Sequence, residues 1–536
     1  MRTLAALSLI VASTSCLTPF VSTAASAAEP SSADGNPGYY TYHYDNERTG
    51  WNPKETKLST ATVASGRFGL VRTLATDSVV YAQPLYAPQV RTRFGTRNVV
   101  YIASEGDSVY AYDSDSGQAL WRRNFTDPAA GITAVVRTSV ADCPSISPTI
   151  GISSTPVIDP ARHTLYVVDK IQITRNGNTS YHNQLHALDL SDGSDRVSPA
   201  EIGGSIKLAD GSSTTFFDQR QQNRPGLALA NGAVYVAFGS SCDAVPGAVH
   251  GWVFGYEAST LRHVATLDTT ASAPDTYLGS IWQSTVAPAV NAKGELFFAT
   301  GNGTFDPSAG RGSYGDSILR TSSELAVRDY FAPKNNLALS ITDQDVGSTG
   351  VMLVPYGKDT RVHLAVSGAK NGVMYLLNQD NLGHYDPAAN RILQEITLEN
   401  APNSLYGGPA YYRGFLYWGA GAQPMQAFAL KVSPTPKLVP ASQTKNSFPG
   451  EGGEIPAVSS DGTKPGTAVV WATTRPPQGG TIELYAYDAR DLGRTLFSGA
   501  AGQWLAAGDA FLTPTVAAGH VFVPGAGLGV AEFGLR

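Results

Sequence analysis

The chain has 536 residues, is 42% hydrophobic and 15% charged, and carries a formal net charge of −6. This acidic balance, without Lys/Arg runs, leaves no electrostatic footprint for nucleic acid or an anionic membrane surface. Its 55 glycines and 33 prolines predict many short strands with turn punctuation, the pattern of a large all-β body.

Residues 1–28 hold Arg2, the apolar run LAALSLIVAS and small residues ending in Ala25-Ser26-Ala27-Ala28. They read as a secretory signal with an A-x-A-like cleavage site, predicting a secreted or periplasmic protein. No later segment has the continuous apolar length of a transmembrane helix. Once the leader is removed, taking Cys16 with it, Cys143 and Cys242 remain, and in an oxidising compartment they are expected to pair. Residues 29–65 read as an N-terminal linker or extension, beginning with the polar stretch EPSSADGNPG.

A repeat follows. Eight segments pair a small or Pro-bearing strand with an apolar strand soon after, at 83–104, 155–169, 224–238, 287–300, 349–367, 408–420, 455–473 and 513–525. Their starts recur at intervals of 47 to 72 residues, the length of a four-stranded antiparallel blade with variable loops. Third strands such as SVYAYDSDSG (108–117) end on an acidic or amide residue that can accept turn amide protons. Fourth strands read ALWRRNF (119–125) or RHVATLD (262–268). The last unit stops after its third strand, and FGLVRTLAT (68–76) is available to complete it. The predicted fold is therefore an all-β, eight-bladed β-propeller over 66–536, one domain nearly without helices, its ring closed by the N-terminal strand 68–76.

General propeller geometry puts the loops that enter each inner strand on the same face as those joining second to third strands. That face would gather Trp282, Asn302, Asp316, Asp343, Gln344, Asp345, Lys370, His182, Arg224 and both cysteines. An aromatic floor, cations and carboxylates suit a flat anionic ring bound through a metal. Each residue also has an ordinary reading: Asn302 as a left-handed turn residue, Trp282 as packing, Asp316 as a turn or cap, Lys370 as a solvated loop lysine. His182, His186 and His250 show no helical H-x-x-x-H pairing, so no zinc site is expected, and no GxSxG elbow or Walker loop is present.

These stretches resemble the quinoprotein alcohol dehydrogenase family, eight-bladed propellers that bind pyrroloquinoline quinone (PQQ). AYDSDSGQALW (111–121) is similar to that family's tryptophan-docking motif, and DNERTGWNP…LSTATV (45–63) to its opening segment. IWQS…ATGNG…GD resembles the segment supplying the stacking Trp, a calcium-ligating Asn and the catalytic Asp. The resemblance implies Trp282 as cofactor floor, Asn302 and Asp316 as calcium ligands, and Asp316 as catalytic base. GAKNGVMYLLNQDNLG (368–383) resembles the stretch whose lysine contacts the quinone, implying Lys370; Arg224 is the further cofactor-binding candidate. The chain departs from the family in having Cys143 without an adjacent cysteine, no Glu in Val168–His186 to ligate calcium, no CxxCH, and Phe497 at a docking-Trp position.

Three functions follow. The first is an exported PQQ-like propeller that binds a small molecule, glycan or protein without chemistry; the departures favour it. The second is a PQQ- and calcium-dependent alcohol or sugar dehydrogenase with Asp316 as base. The third is an extracellular glycan lyase or hydrolase using His182, His250, Arg224 or Asp345.

Overall fold

The computed structural model describes Met1 and residues 37–140, 146–243, 245–355, 362–398, 405–476, 479–505, 511–525 and 527–536. The leader assigned to 1–28 thus lies, Met1 apart, outside the described residues. The rest forms eight antiparallel blades, each containing a meander of four strands, arranged as a ring. Their inner strands are Leu85–Thr92, Val157–Asp159, Ala228–Ala230, Ala289–Val290, Met352–Val354, Ala410–Tyr412, Ala457–Ser459 and Thr515–Ala517.

Sequence patterning explains the layering. Second strands such as Ala233–Ser240 are buried along their whole length because each blade is covered on both faces by its neighbours, and they read as continuous apolar runs. Outer strands such as Ala119–Asn124 face water in part and alternate. The core lies between blades: Tyr166 and Leu185 of blade two meet Phe238, Trp252 and Phe254 of blade three in one fully buried cluster. The docking motif works as its residues suggest. The Trp121 indole N–H donates to Leu190 O at 3.0 Å, and a Cβ at Gly193 would fall 2.7 Å from the ring. The repeat-end Asp113 accepts the amide protons of Asp115 and Ser116, holding its turn.

The ring closes through Phe68–Ala75, which pairs antiparallel with Gly529–Leu535 as the outer strand of blade eight. Phe68 packs against Trp471 and Phe497 of blade seven and Phe533 of blade eight. This is the predicted closure, and it leaves the last blade without a free third-strand edge.

The stretch before it does more than link. Residues 39–52 form a belt around the channel and hydrogen-bond the second residue of every inner strand. Tyr39 pairs with Tyr86, Ile158 N donates to Tyr40 O, and Asn46 bridges Leu229 O and Val290 N. Leu353, Tyr411 and Val458 donate to the carbonyls of Glu47, Thr49 and Gly50, and Asn52 donates to Val516 O. Arg48, 1% exposed, locks the belt by donating to Pro288 O, Tyr42 O, Asp45 O and Thr41 Oγ1.

Helices are few, as expected: the described α-helices are the short Thr60–Val63, Arg137–Val140 and Asn336–Ile341. Blade two departs from the expected boundaries. Its middle strands run on as a long hairpin, Thr164–Arg175 against Asn178–Asp189, turned at Asn176-Gly177, both with positive φ. His182 therefore sits within a strand opposite Ile171, and not in a loop facing the channel.

Candidate functional site

Arg224 enters blade three, Trp282 and Ser284 enter blade four, Asp343, Asp345 and Ser348 enter blade five, and Tyr406 enters blade six. Together with Cys242, Asp243 and Lys370, from loops between second and third strands, they wall a pocket of about 220 Å³. The Trp282 indole lies between two glycine backbones: a Cβ at Gly239 would come 3.2 Å from its six-membered ring, and one at Gly301 3.0 Å from Cδ1. Larger residues at either place would push the ring out of this seat. The chain then passes through Gln283, Ser284 and Thr285, three consecutive non-glycine residues with φ of 46°, 48° and 81°. Such strained backbone is held only where its surroundings over-determine it. Here Gln283 donates to Val286 O and accepts from Ala299 N, and Ser284 Oγ donates to Ser348 O. Cys242, Asp243, Asp343 and Asp316 also have positive φ, so unusual backbone concentrates around this pocket.

Carboxylates and cations alternate across it. Lys370 Nζ lies 2.9 Å from Asp343 Oδ2 and 3.8 Å from Asp345 Oδ2. Burial opposes the charge on Lys370, but Asp345 and Asp343 outweigh it and hold its pKa above the ordinary lysine value. Burial raises Asp345 to about 7; Lys370 pulls the other way, and Asp343 and Asp243 reinforce the rise. Asp343 is 69% exposed, so the shorter Lys370–Asp343 contact is the one weakened by solvent. Asp243, which accepts from Ser240 Oγ and Ser280 Oγ, is also raised by burial.

Towards the channel axis, Phe511 is flanked by the Arg475 guanidinium at 4.7 Å and that of Arg224 at 5.9 Å, while Arg224 lies 6.0 Å from the Trp282 ring. Tyr406 stacks on Phe511 at 5.3 Å, takes Lys370 Nζ at 5.8 Å from its ring, and donates to Glu451 Oε1. Cations from blades three, five and seven therefore converge on an aromatic centre.

Of the residues singled out in the sequence, Trp282, Arg224, Lys370, Asp343 and Asp345 meet at this pocket. Asn302 stands just outside it, its amide donating to Asp343 Oδ1 at 2.8 Å. Asp316 is fully buried behind the wall, Oδ1 accepting from Val346 N at 3.0 Å, with its pKa raised well above the usual range by burial and then by Asp345. His182 bonds Glu201 and Ser180 on the blade-two hairpin, and His250 is buried against Thr270 and Asp268. Neither histidine lines the pocket. Cys242 does; Cys143 falls in 141–145, outside the described residues. Sequence reasoning missed Tyr406, Phe511, Arg475 and Asp243, which stand in irregular loops with no pattern of their own.

The donor set divides by chemistry. A flat polyanion such as PQQ fits: Trp282 offers a ring face, and Arg224, Lys370 and Arg475 offer charge to carboxylates. Calcium fits poorly. It takes six to eight oxygens, yet no three His, Cys, Asp or Glu among the described residues have metal-holding geometry. The implied ligands Asn302 and Asp316 each keep one buried oxygen without a hydrogen-bond partner, the kind of atom a cation would satisfy, but they stand apart from any such cluster.

No protein-family model matches the chain, and no curated protein matches it in sequence. Solved structures do match. The quinohemoprotein alcohol dehydrogenase from Comamonas testosteroni superposes with a TM-score of 0.60 at 14% identity, over 93% of this chain and 80% of that one. The quinohemoprotein alcohol dehydrogenase ADHIIG from Pseudomonas putida HK5 gives 0.58 at 15% identity, over 94% and 80%. A europium-containing methanol dehydrogenase gives 0.53 at 13% identity, over 93% and 98%. At these identities the likeness is one of fold: the chain is an eight-bladed β-propeller of the kind found in quinoprotein alcohol dehydrogenases.

Proposed function

We propose that the pocket between blades three and six binds a flat, anionic small molecule, with the Trp282 ring as its floor and Arg224 and Lys370 facing its acidic groups. The observation that carries this reading is the seat of Trp282 between Gly239 and Gly301, beside the Arg224 guanidinium at 6.0 Å. The leader at 1–28 supports export, so the ligand would be met outside the cytoplasm. PQQ, an aromatic tricarboxylate, is the probe. Its titration should quench tryptophan fluorescence, and Trp282→Ala should cost about 1–3 kcal/mol of affinity, the scale of burying one large side chain. Equal affinity in wild type and Trp282→Ala would remove the pocket from consideration.

A second reading, a dehydrogenase of alcohols or sugars, is favoured by Asp345. When bound, PQQ would supply the two-electron oxidant. Asp345, on the pocket wall with its pKa at about 7, would take the hydroxyl proton, and Lys370 would favour the carboxylate that does so. The resemblance had implied Asp316, but this role suits Asp345 better, because Asp316 is shut behind the wall. With PQQ added and a dye as electron acceptor, Asp345→Asn should lower turnover at least a hundredfold while PQQ still binds, and Asp316→Asn should retain it. The reverse pattern would restore Asp316 as base. The poor calcium donor set favours the binding reading over this one.

A further inference from the structure

A second, larger cavity of about 880 Å³ opens over blade four and shares Cys242, Asp243 and Asp343 with the inner pocket, so the two are joined through one wall. We infer that this outer cavity receives the apolar chain of an amphiphilic anion whose acidic head lies against Arg224 and Lys370 in the inner pocket; the inference rests on the ligand-binding reading of that pocket.

The lining is the reason. Tyr277, Phe305, Tyr385, Leu337 and Ile341 surround the outer cavity. Leu337 and Ile341 stand one turn apart on the helix Asn336–Ile341 and are 71% and 75% exposed, and Tyr277 is 41% exposed. Phe305 and Tyr385 meet edge to face at 5.1 Å. Several of the polar side chains there are engaged by the scaffold. Asn302 donates to Asp343, and Asn336 donates to the carbonyls of Gly315 and Asp316. Ser340 Oγ accepts from Gly303 N, and Thr304 Oγ1 from Tyr277 N. About half of what faces a ligand is hydrocarbon and aromatic surface, contributed by Leu337, Ile341, Tyr277, Phe305 and Tyr385, and the rest is polar. Exposed aliphatic side chains at the rim of a charged pocket complement a molecule with one acidic end and one apolar end. At the junction, Asp343 is paired with Lys370.

The test is calorimetric titration of the full chain with butanoate, octanoate and dodecanoate, each below its micellar concentration. Wild type should bind more tightly along the series, about fourfold per methylene while the chain remains inside the cavity. Leu337→Asp combined with Ile341→Asp, two exposed positions where folding is undisturbed and checked by thermal unfolding, should abolish that chain-length dependence and leave butanoate unchanged. Arg224→Gln should weaken all three acids by a similar factor. Binding that is independent of chain length in wild type, or chain-length dependence that survives the double variant, would overturn the outer compartment. Failure of every alkanoate to bind would overturn it too. In each case quenching by PQQ reports separately on whether the inner pocket binds at all.

Discussion

At the scale of single residues, the titratable groups held inside the ring are uneasy ones. Burial raises Asp45, Glu105 and Asp345 to about 7 and Glu454 to about 8, each opposed in part by local hydrogen bonds or cations. A carboxyl whose folded pKa lies above its unfolded value keeps a proton that the unfolded chain has released. Its contribution to stability therefore falls as pH rises from about 4 to the folded pKa, and is flat above it. His43, lowered to about 4 by burial, works the other way below pH 6.5, so the net fall should be clearest between about pH 6 and 8. Chemical denaturation should give a lower unfolding free energy at pH 8 than at pH 6, by an amount of the order of a few kcal/mol. Glu454→Gln should flatten the dependence and raise stability at pH 8. A profile that rises across this window would show these carboxyls to be solvated. Trp282, Arg224 and Lys370 could be placed on one face because each stands in a loop beside a repeat strand, Trp282 and Lys370 also in stretches with a family likeness, but Gly239 and Gly301, which seat the indole, look in sequence like any strand-end glycines.

At the scale of elements, strands were legible and loops were not. Period-two alternation and acidic strand ends mark the blades because every repeat solves the same burial problem. The blade-two hairpin was misplaced because its outer half is polar, although Asn176-Gly177 carries the turn signal. The belt at 39–52 was hidden for another reason: it makes one or two hydrogen bonds per blade and has no periodicity to display. Loop pairing by cysteine is an expectation drawn from compartment. We expect Cys143 to be the partner of Cys242, joining the loop before blade two to blade three at the pocket rim. The closed loop is long, and the chain-entropy account gives about 4–5 kcal/mol as an upper figure. Thiol titration of denatured, unreduced, oxidatively matured protein should find no free thiol, and two would exclude the bond. Reduction should lower the thermal midpoint and loosen the wall that Cys242 shares between the two cavities.

At the scale of the whole molecule, the ring holds because sequence neighbours are also spatial neighbours everywhere except at one seam. There Phe68–Ala75 returns to Gly529–Leu535, and the preceding belt touches all eight inner strands. The two devices should fail differently. A chain starting at residue 54 loses the belt but keeps the closing strand, so it should remain monomeric and unfold at lower temperature, with looser packing around Val286 and Pro288, which Tyr42 and Arg48 hold. A chain starting at residue 77 loses both. It exposes the edge of Gly529–Leu535, uncovers the Phe533 and Trp471 surfaces that Phe68 covers, and should aggregate or lose its single cooperative transition. Size-exclusion chromatography and calorimetry of the two truncations separate these outcomes. If the chain starting at 77 unfolded like the one starting at 54, the seam would add nothing beyond the belt, and the ring would be held by blade-to-blade packing alone.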